Sequence, residues 1–293
     1  MDLLETFELK SWEEDVSKSL AESAVEALEK GKVIYLPKLS FSLSEEEKKF
    51  LSPQWVDPKS KNISYSLQSD RLGGSTCHEA EALVLKALLK RYAISARQFL
   101  EKLFPCYTPF LIQAKTSLRP VEIYGRKSAS WRKDDTRLHV DSFPANPTGG
   151  KRILRIFTNV NIEGKPRVWR LGEPFEEIAK KWGPKAASPI WGMAEFLKCF
   201  KITKGYRTSY DHYMLQIHDL MKEDLHYQQT VSQCEVQFPA GSSWIVFTDQ
   251  AAHAAMSGKD VIEQTFELLP EGLKNVETHP LRVLEKILKR SLV

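Results

Sequence analysis

Residues 234–269, CEVQFPAGSSWIVFTDQAAHAAMSGKDVIEQTFELL, alternate short apolar runs with turn chemistry and leave little room for any element but short β-strands. An alternating strand through Val236 and Phe238 is followed by a Pro-Ala-Gly turn and an apolar strand over residues 243–247. A polar corner at Thr248 to Gln250 leads into a short strand carrying His253, then a Ser-Gly-Lys-Asp turn and a last strand over residues 261–268. A histidine that enters a strand just after such a corner stands where a jelly-roll barrel supplies an imidazole to a site.

Far upstream, the segment RLHVD sets His139 and Asp141 two residues apart. In an extended strand, positions i and i+2 project to the same side, so both side chains can reach one metal ion while Val140 packs behind them. Two imidazoles and one carboxylate, here His139, Asp141 and His253, cap one face of an octahedral ferrous ion and leave positions for a co-substrate and dioxygen. An H-x-D tripeptide alone is weak, and its usual alternative is a surface turn. The other histidines compete poorly for the third place. His212, His218 and His226 fall in a predicted helical stretch, where a lone histidine is usually surface or capping material, and His78 and His279 stand just before predicted helices.

The chain has 293 residues, 42% hydrophobic and 27% charged, an ordinary globular composition with nothing that suggests disorder. Cys77, Cys106, Cys199 and Cys234 show no C-x-x-C spacing, so reduced thiols are expected rather than a disulfide framework or zinc knuckle. No run of about eighteen apolar residues exists and the N-terminus is acidic, so a cytoplasmic protein without a membrane span or export signal is expected. The formal charge is only +4, and no nucleic-acid partner is expected. Basic residues do gather ahead of the H-x-D. Between residues 119 and 137, Arg119, Arg126, Lys127, Arg132, Lys133 and Arg137 outnumber Glu122, Asp134 and Asp135. This arm is expected to grip an anionic substrate, with Arg126, Arg132 and Arg137 as the candidates, because guanidinium groups match carboxylate and phosphate geometry. The alternative is a solvated loop of Arg-Asp pairs.

The expected organisation is an α+β chain of one domain, with a helical platform over residues 1–110 and a core over about 111–170 and 230–270. Ser11 with Glu14 predicts a capping box that opens a helix to about Lys30, and Ser44 with Glu47 predicts a second, short helix. Residues 79–104 carry apolar side chains near helical spacing, with a break or bend expected near the middle. The strand RILRIFTNVN is predicted to point Leu154, Ile156, Thr158 and Val160 one way. Ile153, Arg155, Phe157, Asn159 and Asn161 point the other way, toward a site. A helical insertion over residues 173–229, including a helix initiated at Pro189, accounts for the 112 residues between Asp141 and His253. Over residues 280–293, Leu281, Leu284, Leu288 and Leu292 form an apolar stripe opposite Arg282, Lys286, Lys289 and Arg290. Such a helix either packs on its own domain or a second subunit, or lies on an anionic bilayer.

The blocks SLRPVEIYGRKSASWRKDDTRLHVDSFPANPTGGKRILRIFTNVN, GKPRVWRLGEPFEEIA and FTDQAAHAAMSGKDVIEQTF resemble the bacterial Kdo hydroxylases. These are iron(II)- and 2-oxoglutarate-dependent dioxygenases. The resemblance implies a double-stranded β-helix, or jelly-roll, core with flanking helices, and His139, Asp141 and His253 as iron ligands. It also implies 2-oxoglutarate and dioxygen as co-substrates. The implied substrate is the 3-deoxy-D-manno-oct-2-ulosonic acid (Kdo) of Kdo-lipid A, hydroxylated at its C3 deoxy carbon on the cytoplasmic side of the inner membrane. Asp141, in place of a small residue that would vacate a coordination position for halide, favours hydroxylation over halogenation.

One departure from the wider dioxygenase pattern concerns the far carboxylate of 2-oxoglutarate. Where many relatives place an arginine a short strand beyond the distal histidine, this chain reads Glu263, Gln264, Thr265. Arg155, which shares a strand face with Asn159, is the expected replacement, with Thr265 or Ser257 as hydroxyl partners. Other functions remain open at this stage: an oxygenase acting on a different anionic substrate, a zinc hydrolase with the same triad, or a jelly-roll binding protein without catalysis.

Overall fold

The computed structural model describes residues 2–293. From the N-terminus, β1 (Leu4–Thr6) is followed by α1 (Lys18–Glu29), β2 (Val33–Leu36) and α2 (Glu45–Lys48). Next come β3 (Ile63–Ser66), β4 (Arg71–Gly73), α3 (Glu79–Leu103), β5 (Leu111–Arg119), β6 (Arg152–Asn159) and β7 (Arg167–Leu171). A helical run then holds α4 (Phe175–Trp182), α5 (Met193–Cys199), α6 (Ser209–Glu223) and α7 (Leu225–Thr230). The chain closes with β8 (Cys234–Phe238), β9 (Ser243–Phe247), β10 (His253–Ser257), β11 (Val261–Leu268) and α8 (Pro280–Leu288).

An eight-stranded sheet in the order β1-β2-β9-β6-β11-β5-β3-β4 faces a three-stranded sheet in the order β10-β7-β8. All pairings are antiparallel except β1 with β2. Strand alternation determines what lies between and outside the sheets. On β6, Leu154 and Ile156 join Leu88, Tyr92 and Phe99 of α3 in the core beneath the large sheet, while Phe157 packs with Trp169, Phe238 and Trp244 between the sheets. A third cluster, built from α4, α6, α7 and α8, covers the other side of the small sheet and takes in Leu138 and Val140 on either side of His139. Helices therefore lie outside and the strands enclose the site.

Three boundaries differ from the sequence expectation. Ser11 and Glu14 do meet, the carboxylate accepting from the Lys10 and Ser11 amides at 2.7 and 3.3 Å, but they close a turn instead of opening a helix. Trp12 explains this, because its indole donates to the Ser40 carbonyl at 2.7 Å and its ring stands edge-on to Phe41, Tyr92 and Phe99. The helix begins only at Lys18, capped by Ser17. The expected break in α3 is absent and the helix runs uninterrupted: its 25 residues hold no Gly or Pro, and Leu85, Leu88, Leu89, Tyr92, Ala96 and Phe99 are all buried. Pro189 does not start α5, because Gly192 turns the chain at φ +76 and the helix begins after it. The box at Ser44 and Glu47 forms as expected.

The C-terminal stripe is spent on the fold. Leu281, Leu284 and Leu292 are buried in the cluster that also holds Phe175 and Trp182 of α4, so α8 has no apolar face left for a bilayer or a second subunit. Leu292 lies beyond the helix, where its carbonyl accepts from the Tyr210 amide at 3.0 Å. Among the described residues, no helix is long and apolar enough to cross a membrane.

His279 caps α8. Its Nδ1 accepts from the Leu281 amide at 2.9 Å and its Nε2 donates to the Gly150 carbonyl at 2.8 Å, an arrangement that only the neutral ring satisfies. Burial pushes this imidazole down to about 3. Below an unfolded value near 6.5 the unfolded chain takes up a proton that the folded chain refuses, so stability falls as pH falls. Between about pH 7 and about pH 5.5 this group should cost about 1 kcal/mol in urea unfolding, an increment that His279→Asn should lack. Equal pH dependence in both proteins would contradict the assignment.

Candidate metal centre

His139 sits on an isolated antiparallel bridge to His253, each amide donating to the other's carbonyl at 3.0 and 2.9 Å. Asp141 is fixed at the same level, its amide donating to the Thr248 carbonyl at 2.7 Å. The corner that supplies this carbonyl is held from below. Fully buried Arg152 donates to Asp249 and Gln250, both at 2.7 Å, and stacks over Phe247. Two loops remote in sequence thus become one rigid corner.

The ligand atoms of His139, Asp141 and His253 lie within 4.8 Å of one another. His139 Nδ1 lies 2.7 Å from the Arg137 carbonyl and His253 Nδ1 lies 2.9 Å from the Ala251 carbonyl. Those contacts fix Nδ1 as the protonated nitrogen in each ring and leave the Nε2 lone pairs for a metal. Burial pushes His139 down to about 3 and lowers His253 as well, so both imidazoles are neutral bases near pH 7. Burial alone would raise the Asp141 carboxyl, but the Arg155 guanidinium and, after it, the His139 contact hold it well below the ordinary carboxylate range.

Beside the triad opens a cavity of about 210 Å³ whose charged and polar lining includes Lys61, Asn62, Arg119, Asp135, Arg155 and Arg167. Most of these charges are already matched. Arg119 pairs with Glu263, Lys61 with Asp135, and Arg155 lies between Asp141 at 3.2 Å and Glu263 at 3.4 Å. Arg167 differs. It is 4% exposed, its side chain's only hydrogen bond runs from Nη1 to the Gly258 carbonyl at 2.6 Å, and among the described residues no carboxylate lies within ion-pair distance. Burial and the neighbouring Arg119 push its guanidinium down to about 9. Gly258, at φ +99, permits this approach, since a Cβ there would stand 2.7 Å from the Pro166 carbonyl.

Two positions before His253's partner Leu171 on β7, Trp169 stacks on the His253 ring with centroids 5.0 Å apart. Four buried polar atoms here have no hydrogen-bond partner: Asp141 Oδ2, Arg155 Nε, Arg167 Nε and Trp169 Nε1. Asp141 Oδ1, 3.6 Å from His139 Nε2, together with two imidazole lone pairs is a donor set that fits a divalent transition metal. Arg167 and Trp169, both on the lining of the cavity and both with an unpaired N–H, fit an anion.

The remaining sequence candidates are placed elsewhere. Asn159 does not line the cavity: its amide donates to the Lys165 and Phe238 carbonyls, both at 3.0 Å, to close the end of β6. Thr265 stands behind Glu263, donating to that carboxylate at 2.8 Å, and Ser257 ends β10 away from the cavity lining. The basic arm does not present three free guanidinium groups. Arg132 is exposed, stacked on Trp131 and paired with Asp219 at 2.8 Å; Arg137 donates to the Lys222 carbonyl at 2.7 Å; Arg126 pairs with Asp135 on the cavity wall. Short-range acids within and around the arm neutralise it. His226 is exposed on α7, whereas His218 stands edge-on to His139 with centroids 5.3 Å apart and its Nδ1 is 2.9 Å from Asp219.

Residues 11–291 match the family model for 3-deoxy-D-manno-oct-2-ulosonic acid (Kdo) hydroxylase. This chain belongs to the Kdo hydroxylase family. The solved Kdo hydroxylase KdoO, described as a non-heme Fe(II) α-ketoglutarate-dependent dioxygenase, is 49% identical over 99% of this chain and 97% of its own. Its complex with α-ketoglutarate and Fe(III) superposes with a TM-score of 0.95, and its cobalt(II) complex with 0.97. The complex with succinate and Fe(III) also gives 0.95. No curated protein sequence matches the chain. At this similarity the family fold, a jelly-roll of two facing sheets with flanking helices, is the fold described above. Lys61, Arg119, Arg167 and Trp169 were not singled out from the sequence as site residues. For Arg167 and Trp169 a signal existed, because RVWRL alternates Arg, Trp and Leu on one strand face.

Proposed function

We propose that this chain is an Fe(II)- and 2-oxoglutarate-dependent dioxygenase that hydroxylates the C3 deoxy carbon of Kdo in Kdo-lipid A. The observation that carries the proposal is the convergence of His139, Asp141 and His253 beside a cavity whose one guanidinium without a carboxylate partner is Arg167. His139, Asp141 and His253 would hold the iron. Bound there with 2-oxoglutarate and dioxygen, it supplies an oxidant able to take hydrogen from an unactivated C–H bond.

The chain's own residues do the positioning. The Nδ1–H groups of both histidines stay on backbone carbonyls, so neither ring can turn its lone pair away. Arg155 holds Asp141 ionised and is the first expected anchor for a 2-oxoglutarate carboxylate, while Arg167 and Trp169 offer unpaired N–H groups to the other end of the same diacid. Arg155 and Glu263 are held against each other, and Thr265 acts through Glu263 instead of touching the co-substrate. Arg126 bears on the cavity only through Asp135, so of the three arm candidates it is the one expected to influence a bound saccharide. Phe157, Trp169 and Val261 exclude water from the inner wall.

The proposed setting is the cytoplasmic face of the inner membrane, with peripheral contact and no nucleic-acid partner. Succinate release tests the proposal. It should require added Fe(II) and oxygen, and Kdo-lipid A should stimulate it while lipid A lacking Kdo should not. Equal succinate release from both lipids would move the activity to another substrate.

A further inference from the structure

Of the large apolar side chains exposed among the described residues, half, seven of fourteen, fall within residues 190–206 around α5. Trp191 is 98% exposed, Ile190 69% and Phe200 64%, with Met193, Phe196 and Ile202 beside them. The local structure builds this protrusion. Gly192 turns the chain so that Trp191 stands ahead of the helix, and Phe196 and Phe200, one helical turn apart, bring their rings to 4.4 Å.

Charge accompanies the apolar surface. Residues 184–208 hold Lys185, Lys198, Lys201, Lys204 and Arg207 against one acid, Glu195, which gives this stretch +4, the formal charge of the whole chain. The four lysines are exposed. A patch of such charge repels a second copy of itself across a two-fold axis, whereas an anionic bilayer satisfies both features, the apolar rings entering the acyl boundary and the ammonium groups staying at the headgroups.

The stretch is also fastened to the site. The Lys204 amide donates to the Ala145 carbonyl at 2.9 Å and Arg207 donates to the Pro144 carbonyl at 2.6 Å, on the loop that leaves Asp141. We propose that residues 190–206 are a docking surface that inserts into an anionic lipid bilayer and holds the metal cavity at its face. The inference rests on the proposed function for the purpose of docking, a lipid-linked saccharide presented to Asp141 and its neighbours. It assigns to α5 the membrane contact that α8 cannot make.

Flotation of the full chain with phosphatidylglycerol–phosphatidylethanolamine vesicles tests it, with phosphatidylcholine vesicles as the neutral comparison. The parent should float with the first, and high salt should release it. Trp191→Ser with Phe196→Ser should lower its partition at least about tenfold, and Lys198→Glu with Lys201→Glu should also weaken binding and flatten the salt dependence. Succinate release on detergent-dispersed Kdo-lipid A should stay at the parent's level in both variants, because these side chains lie outside the cavity. If even the parent releases no succinate there, the proposed function fails while flotation still decides docking. Three results overturn the docking proposal: a parent that stays with neither vesicle, variants that float like the parent, or a parent dimer that Trp191→Ser with Phe196→Ser dissociates without changing flotation.

Discussion

Asp141→Ala, His139→Ala and His253→Ala should each abolish Kdo hydroxylation and cut iron affinity more than about a hundredfold. Loss of an outer-sphere partner alone typically costs 10–100-fold, and these three residues supply the ligand atoms themselves. The fold should survive each change. Removing Asp141 still leaves Arg155 beside Glu263, so no buried charge is stranded, and the bridge between His139 and His253 is made by backbone groups. Metal content measured after dialysis against Fe(II), together with the unfolding midpoint of the metal-free protein, separates lost ligation from lost folding. His226→Ala is the control, since its side chain is exposed on α7. An inactive His226→Ala beside an active His253→Ala would overturn the assignment.

Arg167→Met is expected to raise the 2-oxoglutarate requirement by about a hundredfold while making the ligand-free protein more stable. Both effects have one cause. Truncating one partner of a buried hydrogen-bonded charge pair costs about 2–5 kcal/mol, but without the anion the same guanidinium is a buried cation with no carboxylate partner. In the parent, 2-oxoglutarate should raise the unfolding midpoint with concentration as expected for a ligand bound only by the native state, and Arg167→Met should lose that rise. Arg167→Lys should recover part, since the planar fork is lost but the charge is kept. Arg155→Ala should behave differently, weakening iron and 2-oxoglutarate together, because Arg155 touches the Asp141 carboxylate. An Arg167→Met variant with parent-like 2-oxoglutarate affinity would move the anchor to Arg155 or Arg119.

Much of this was legible in the chain itself. The strand over residues 243–247, the corner at Thr248 to Gln250 and the strand from His253 follow from local alternation and turn chemistry, and the structure has them at those positions. The two faces of β6 follow from period-two alternation, with Arg155 inward and Ile156 in the helical core. What could not be read depended on contacts between distant segments. Arg126, Arg132 and Arg137 form a cationic run in sequence, yet Asp135 and Asp134 within the arm and Asp219 from α6 neutralise it. Asn159 sits on the inward face by alternation but is drawn into closing the Lys165 turn. Lys61 reaches the cavity from a loop ahead of β3, with no local pattern to mark it. The α8 stripe has the periodicity of a surface-binding helix, and only the packing of α4 shows it to be core.

The most direct measurement of the central claim is mass spectrometry of Kdo-lipid A after incubation with the chain, Fe(II) and 2-oxoglutarate under isotopically labelled dioxygen. One labelled oxygen should appear in the Kdo residue and one in succinate, in equal amounts, and fragmentation should place the first on C3. Unlabelled product, label on lipid A outside Kdo, or succinate formed with no oxygenated saccharide would contradict it.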